Sequence, residues 1–403
     1  MDFTPSQAQD ALSTLTRQIL HDRADVDQLR QLDLRLQDGG DRFDPKLWAV
    51  LAETGVLGAT LPSAVGGDGH GLLEQCSVLI EMGRALAPVP YLPTIALAGS
   101  VLAQFGTPRQ HAAWLKPALG GQLVLSVALS EPDGTDPLTP STLAEPTSAG
   151  WSLTGTKTTV PAGPLARVLL VSATTPDGPA LFAVTPDDAG VRISRQRMTD
   201  HDDACWLELT DVQLPADRRI GSSHATRPTD STRPTDSTGG TGTTGSTVDG
   251  DPVAWVLRRG TVALCAYQLG VLERALQLTA EYATTRTQFD RPIGTFQAVA
   301  QRLADAYIQV QALRLALWSA AWKLGSAAAE TSDDDVLSAV ATAKFWAAEA
   351  GHYVSHTCVH VHGGAGIDVE HQLHRYFLAA KRAEFELGGA TAQLRALGRI
   401  LAQ

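Results

Sequence analysis

Two clusters of residues have the types and spacing to hold a phosphorylated, aromatic ligand. Tyr282, Arg286 and Phe289 follow one another at intervals of four and three, the spacing of one helical face, and Arg291-Pro292 would stop that helix just beyond them. A guanidinium and an aromatic ring offered together, with Gln288 between them, suit a pyrophosphate beside an adenine. A surface ion pair and a ring filling the core are the other roles such a triplet takes. Downstream, Gly363, Gly364 and Gly366 follow His360 and His362. Backbone without side chains can approach phosphate oxygens closely and lend amide donors, although a glycine cluster also serves simply to break a helix. The histidines at 352, 356, 360, 362, 371 and 374 have no carboxylate or cysteine at zinc-type spacing, so no metal is expected.

Three kinds of segment must position these residues, giving a mainly α chain with a central β domain. Residues 1–120 read as a helical domain, with apolar residues at three- and four-residue spacing in Leu47–Leu57 and Leu73–Leu86 and breaks at 66–69 and 88–90. Residues 121–221 hold short β-rich runs (123–129, 151–160, 166–172, 180–185, 191–197 and 205–210) and predict a small β-barrel or sandwich. Residues 222–250 are rich in Ser, Thr and Gly and repeat Arg-Pro-Thr-Asp-Ser-Thr twice in tandem, which predicts a disordered linker without chemistry. From 251 to 403 the apolar stripes Val262-Ala266-Leu269-Leu272-Leu276, Leu303-Tyr307-Val310-Leu313-Leu317 and Ala339-Ala343-Trp346-Ala350 predict a bundle of four or more helices. The net charge of −11 leaves no positive field for nucleic acid. Charged residues interrupt every apolar run that could serve as a signal or a membrane span, and the four cysteines are far apart, so a soluble cytoplasmic protein is expected.

Four stretches in this order resemble the flavin-dependent acyl-CoA dehydrogenases. LWAVLAETGVLGATLPSAVGGDGHG (47–71) is similar to the family's N-terminal segment, and Ala128–Asp136, ALSEPDGTD, to its "TEPxAGSD" flavin loop, one residue shorter. YATTRTQFDRPIGTFQ (282–297) resembles "Y...R.QFG.PI..FQ", and HVHGGAGIDVEHQLHR (360–375) resembles "Q..GG.G...E....R". The resemblance implies helical, β and four-helix-type domains in that order, FAD as cofactor and an acyl-CoA substrate. It also implies an electron-transfer flavoprotein or similar acceptor and a homo- or heterotetramer. By resemblance, Arg286, Gln288 and Phe289 reach across a subunit interface to the adenosine diphosphate part of FAD. His360 stands at the place of a Gln beside Gly363 and Gly364, and Leu129, Ser130, Gly134 and Thr135 sit where the family lays its β domain against the flavin ring. An ordinary Pro-Asp-Gly-Thr turn is the other account of that last stretch.

The carboxylate that would take the α-proton is missing from both positions the resemblance marks. In 387–393, LGGATAQ, the "YEGTxQ" glutamate is replaced by Gly389, and the alternative position on the preceding helix is Gly260. Glu386, one helical turn before Gly389, is a candidate relocated base, and a solvated helix carboxylate is its other account. In GTKTTVPA (155–162), similar to "G.K.WITNA", Pro161 and Ala162 replace polar residues near the flavin, and proline has no N–H to give. These departures resemble the glutamate-lacking subunit of actinobacterial α2β2 acyl-CoA dehydrogenases, whose partner supplies the base. A self-sufficient dehydrogenase using Glu386, and an assembly or acyl-CoA-binding relative without flavin, are the alternatives.

Overall fold

The computed structural model describes residues 3–24, 26–37, 39–134, 136–221, 250–325 and 332–402. Thr135 and the expected linker, apart from Gly250, lie outside the described residues. The chain opens with α1 (Gln7–Arg23), α2 (Val26–Gln37), α3 (Pro45–Glu53) and α4 (Leu72–Ala85). Helix α1 begins with a reciprocal cap in which the Ser6 hydroxyl accepts from Gln9 N while the Gln9 side chain accepts from Ser6 N. Helix α3 starts at Asp44, whose carboxylate accepts from the amides of Lys46 and Leu47, with Pro45 in the first turn where its missing N–H costs nothing. Between 92 and 119, π-helical turns at Leu92–Gly99 and His111–Leu115 alternate with the α-helical turns α5 (Ser100–Phe105), α6 (Pro108–Gln110) and α7 (Lys116–Leu119).

The middle segment forms one eight-stranded sheet. Its strands are β1 (Leu125–Ala128), β2 (Leu143–Thr147), β3 (Gly150–Pro161), β4 (Val168–Thr175), β5 (Gly178–Val184), β6 (Val191–Arg197), β7 (Asp203–Pro215) and β8 (Arg219–Ile220). They run in the order β6-β7-β3-β2-β4-β5-β8, with β1 parallel to β4. Two register shifts interrupt the β3–β7 ladder, one between Lys157 and Val160, where Thr159 takes a left-handed conformation.

The rest of the described chain is α8 (Pro252–Thr285), a tight hairpin of β9 (Thr287–Gln288) with β10 (Arg291–Pro292), then α9 (Gln297–Gly325), α10 (Asp333–His362), α11 (Leu373–Phe385) and α12 (Ala390–Leu401). One apolar cluster joins the N-terminal helices to this bundle, including Trp48, Leu79, Leu269, Leu313 and Ala347. Helices α4 and α8 cross backbone to backbone. A methyl group on Gly270 would stand 1.9 Å from the Ile80 carbonyl oxygen, and one on Gly83 would stand 2.0 Å from that of Tyr267, so neither position accepts a side chain. Among the described residues no helix is long and apolar enough to cross a membrane.

Candidate active site

A cleft of about 780 Å³, open to solvent, lies where three parts of the molecule meet: the 88–93 segment, the end of β3 with the 200–203 loop, and α8 with α11. Phe43, Leu92, Leu165 and Leu264 give it apolar walls, while Arg42, Arg382, Asp200, Asp202, Asp203 and Glu386 line its polar side. Arg382 is the hub. Its guanidinium donates to Asp202 at 2.6 Å and to Asp200 at 3.1 Å and stands 3.5 Å from Glu386. Burial opposes the charge on Arg382, but Asp200, Glu386 and Asp202 together hold it protonated well above the ordinary arginine range. Glu386 experiences the reverse. Burial raises its carboxyl above the usual range, Asp200 and Asp202 add to that, and Arg382 pulls it back. Glu386 is thus a lining residue of the cleft tied to an ion cluster, and the reading of it as a solvated helix carboxylate is corrected.

The two glycines at the expected base positions lie close together. Gly260 is buried in α8, and a methyl group there would come within 2.6 Å of Leu97 Cδ2 and 3.7 Å of Leu387 Cδ1, two residues before Gly389. A side chain at Gly260 would therefore have to displace Leu97. Gly389, at the start of α12, has its nearest neighbours at 3.7 Å and has space for one.

Next to the cleft, the 129–134 loop is tied down from beneath. Lys157, fully buried, donates to Glu131 at 2.8 Å and to Ser172 at 2.9 Å. Glu131 also accepts from the amides of Ser141 and Thr142 and from the Thr142 hydroxyl. Desolvation pushes the Lys157 pKa down to about 8 even though the Glu131 carboxylate supports its charge. Leu129 is buried beside this pair, and Gly134 is exposed with a positive φ of 64°. Most backbone donors at the end of β3 are already engaged: Thr158 N donates to the Ser130 carbonyl, Thr159 N to Gln196 Oε1 and Ala162 N to the Asp203 carbonyl, while Pro161 has none to give.

The second group of predicted residues gathers at the far end of the bundle. His362 stacks on Tyr282 with ring centroids 4.2 Å apart, which brings the end of α10 to the end of α8. Its Nδ1 sits 2.9 Å from the Cys358 carbonyl oxygen, which can only accept, so that nitrogen carries the proton. The shared helical face expected for Tyr282, Arg286 and Phe289 does not form. Helix α8 ends at Thr285, Arg286 caps it in an extended conformation, and Phe289 and Asp290 make the turn of the β9–β10 hairpin with φ of 50° and 61°. The turn is what exposes the ring: Phe289 is 87% accessible. Arg286, Gln288 and His360 are exposed as well, and a methyl group built on Gly363 or Gly364 meets nothing within 4 Å. This edge fits the pyrophosphate and adenine of FAD, since it offers a guanidinium, an amide side chain, an open aromatic face and uncovered backbone. The end of β3 supplies few donors to a flavin ring.

Among the described residues no group of His, Cys, Asp or Glu is arranged to hold a metal ion. The four cysteines are free and buried, and burial raises the Cys265 and Cys358 thiols to about 12, so none is a ready nucleophile. Sequence reasoning missed Asp200, Asp202 and Arg382 because no local pattern links residues 180 apart.

A helical domain, a sheet and a helical bundle with a dinucleotide-fitting edge define a flavoprotein class of oxidoreductase. The acyl-CoA dehydrogenase N-terminal domain family matches residues 6–122 and the C-terminal domain family residues 252–402. The chain is 44% identical to "Acyl-CoA dehydrogenase FadE27" of Mycobacterium tuberculosis, over 100% of this chain and 99% of the relative. Among solved structures it is similar to the ChsE4–ChsE5 complex from Mycobacterium tuberculosis, with a TM-score of 0.87 and 44% identity over 100% of this chain and 99% of that one. A Tcur3481–Tcur3483 steroid ACAD variant follows at a TM-score of 0.83 and 39% identity, covering 98% of this chain and 97% of that one. The chain belongs to the acyl-CoA dehydrogenase family, oxidoreductases that act on CH–CH bonds with FAD.

Proposed function

We propose that this chain is a subunit of a heteromeric acyl-CoA dehydrogenase in which it completes the FAD site of a partner, and the partner supplies the glutamate that takes the substrate's α-proton. The carrying observation is a contrast within one molecule. Both base positions are glycine and the adjoining cleft is crossed by the Arg382 ion cluster, while the Arg286–Phe289 edge is open. Desaturation of an acyl-CoA needs a base at Cα, donors on the thioester carbonyl and a hydride acceptor, and bound FAD supplies the last of these. This chain's part is binding. Arg286 and Gln288 would hold the pyrophosphate, the amides of Gly363 and Gly364 would add donors beside His360, and Phe289 would offer its face to the adenine. Similarity to a steroid ACAD supports a bulky acyl group as substrate. Electrons would leave to an electron-transfer flavoprotein or a similar carrier, in the cytoplasm.

Glu386 favours a second reading, a self-sufficient enzyme, because it lines the cleft and its raised pKa suits a base. One experiment separates the two. The chain is purified alone and after co-expression with a glutamate-bearing acyl-CoA dehydrogenase subunit, flavin is quantified by absorbance, and acyl-CoAs are added anaerobically. We expect a colourless chain alone and about one flavin for every two chains in the mixed complex, bleached by substrate and reduced in Arg286→Ala. A chain that is yellow and bleaches by itself would establish the second reading instead.

A further inference from the structure

We propose that a groove between α1, α4, α8 and α11, separate from the cleft and from the flavin edge, is a binding site for an organic phosphate. The groove encloses about 1080 Å³, open to solvent, and is lined by Arg17, Arg84, Arg274 and Arg375 against the single carboxylate of Glu81. Cations are in surplus behind it as well, because each buried acid is shared by two arginines. Glu81 holds Arg17 at 2.8 Å and Arg84 at 3.3 Å, Glu273 holds both Arg84 and Arg314, and Asp33 holds Arg375 at 2.9 Å and Arg42 at 3.5 Å. Arg274 is shared between the Tyr376 hydroxyl and the exposed Glu281 at 3.9 Å, so no close carboxylate neutralises it.

A chain with a net charge of −11 thus carries a local positive field inside a concavity, where low-dielectric walls concentrate it. Guanidinium forks on four different helices match the oxygens of a phosphate better than a single carboxylate would, because each fork can bind two of them. The lining also includes Leu20, Leu29 and Leu86, which would cover an apolar or aromatic body, and Gln277 and Gln372, which would mark its polar edge. Arg274 lies 12 residues before Arg286, about 18 Å along the same helix, so one phosphate cannot bridge both places. The site does not depend on the flavin assignment.

The test is calorimetric titration of the purified full-length chain with inorganic pyrophosphate, with adenosine diphosphate and with adenosine, at low and high salt. We expect saturable binding of the diphosphate, tighter than that of pyrophosphate, weakened by salt, and none of adenosine. Arg274→Ala should weaken this binding by about tenfold or more, whereas the groove's binding should persist in Arg286→Ala, the variant that weakens any binding of the same nucleotide at the flavin edge. Gln372→Glu, placing a carboxylate at the start of α11 where the helix favours one, should repel the ligand to a similar extent and guards against misfolding of the arginine variant. Absence of saturable binding, binding that survives both groove variants, or binding lost in Arg286→Ala would each overturn the site. Nucleotide binding no tighter than pyrophosphate would overturn the organic body as part of the ligand.

Discussion

Glu386 is where the two enzymatic readings part, and its surroundings make opposite predictions for turnover and for stability. Held 3.5 Å from an arginine that already engages two aspartates, its carboxyl is raised by burial and by those aspartates. A raised folded-state pKa means that the folded chain binds the extra proton, so stability falls as pH rises from the ordinary glutamate range through the folded value. Glu386→Gln should therefore be matched to the wild type at the ordinary glutamate pKa, about 4, and increasingly more stable than it as pH rises above that range in urea titrations, with turnover of the mixed complex unchanged. Loss of turnover by about a hundredfold or more would make Glu386 the base. Glu131 works in the opposite sense. Removing it leaves Lys157 buried without its carboxylate, and Glu131→Ala should cost about 3–5 kcal/mol in denaturant titrations, far more than Glu131→Ala combined with Lys157→Met. A small cost in the single variant would show that the pair does not hold the 129–134 loop.

At the level of elements, the long helices were legible because their stripes persist over many turns: Val262 to Leu276 lies in α8, Leu303 to Leu317 in α9 and Ala339 to Ala350 in α10. Short elements were not. Strand β2 has only Ala144 buried and contains Pro146, so its alternation is too weak to read, and β8 is two residues held by pairing to β5. The turn at Phe289 was hidden because the spacing of Tyr282, Arg286 and Phe289 is helical while Asp290-Arg291-Pro292 makes a hairpin, and spacing alone does not distinguish them. The Tyr282–His362 stack joins α8 to α10 and so brings the 282–289 and 360–366 stretches to one place, a juxtaposition that no local pattern displays. That junction is sensitive to acid. Burial lowers the His362 pKa, so the unfolded chain binds more protons below the ordinary histidine value, and stability is lost as pH falls through that window. His362→Phe keeps a ring for the stack without a proton to gain. Its melting temperature should fall less than the wild type's between about pH 7 and about pH 5, and His356 and His374, also lowered by burial, contribute to the part that remains. Equal slopes in the two proteins would remove His362 from this role.

On the scale of the whole molecule, the unfinished surfaces are on the C-terminal bundle. Ile308, Leu315 and Trp322 recur every seven residues along α9 and are exposed, and α12 has no buried residue although Leu394 and Leu401 project from it. Three large apolar side chains at heptad spacing make a stripe along one helix face, which a monomer in water has no reason to keep and a neighbouring subunit would cover. The same logic applies to Phe289, a ring on a hairpin tip that reaches no core of its own chain beyond an edge contact with Phe296. If the stripe is a subunit seam, Leu315→Glu should leave the chain folded, because the side chain is solvent-facing, yet release the co-expressed partner in size-exclusion chromatography with light scattering. Flavin should be lost with the partner even though Leu315 is on a different element from the Arg286 edge, because a cofactor held between two chains has no site once they separate. Retention of both partner and flavin in Leu315→Glu would mean that the α9 stripe faces solvent in the assembly.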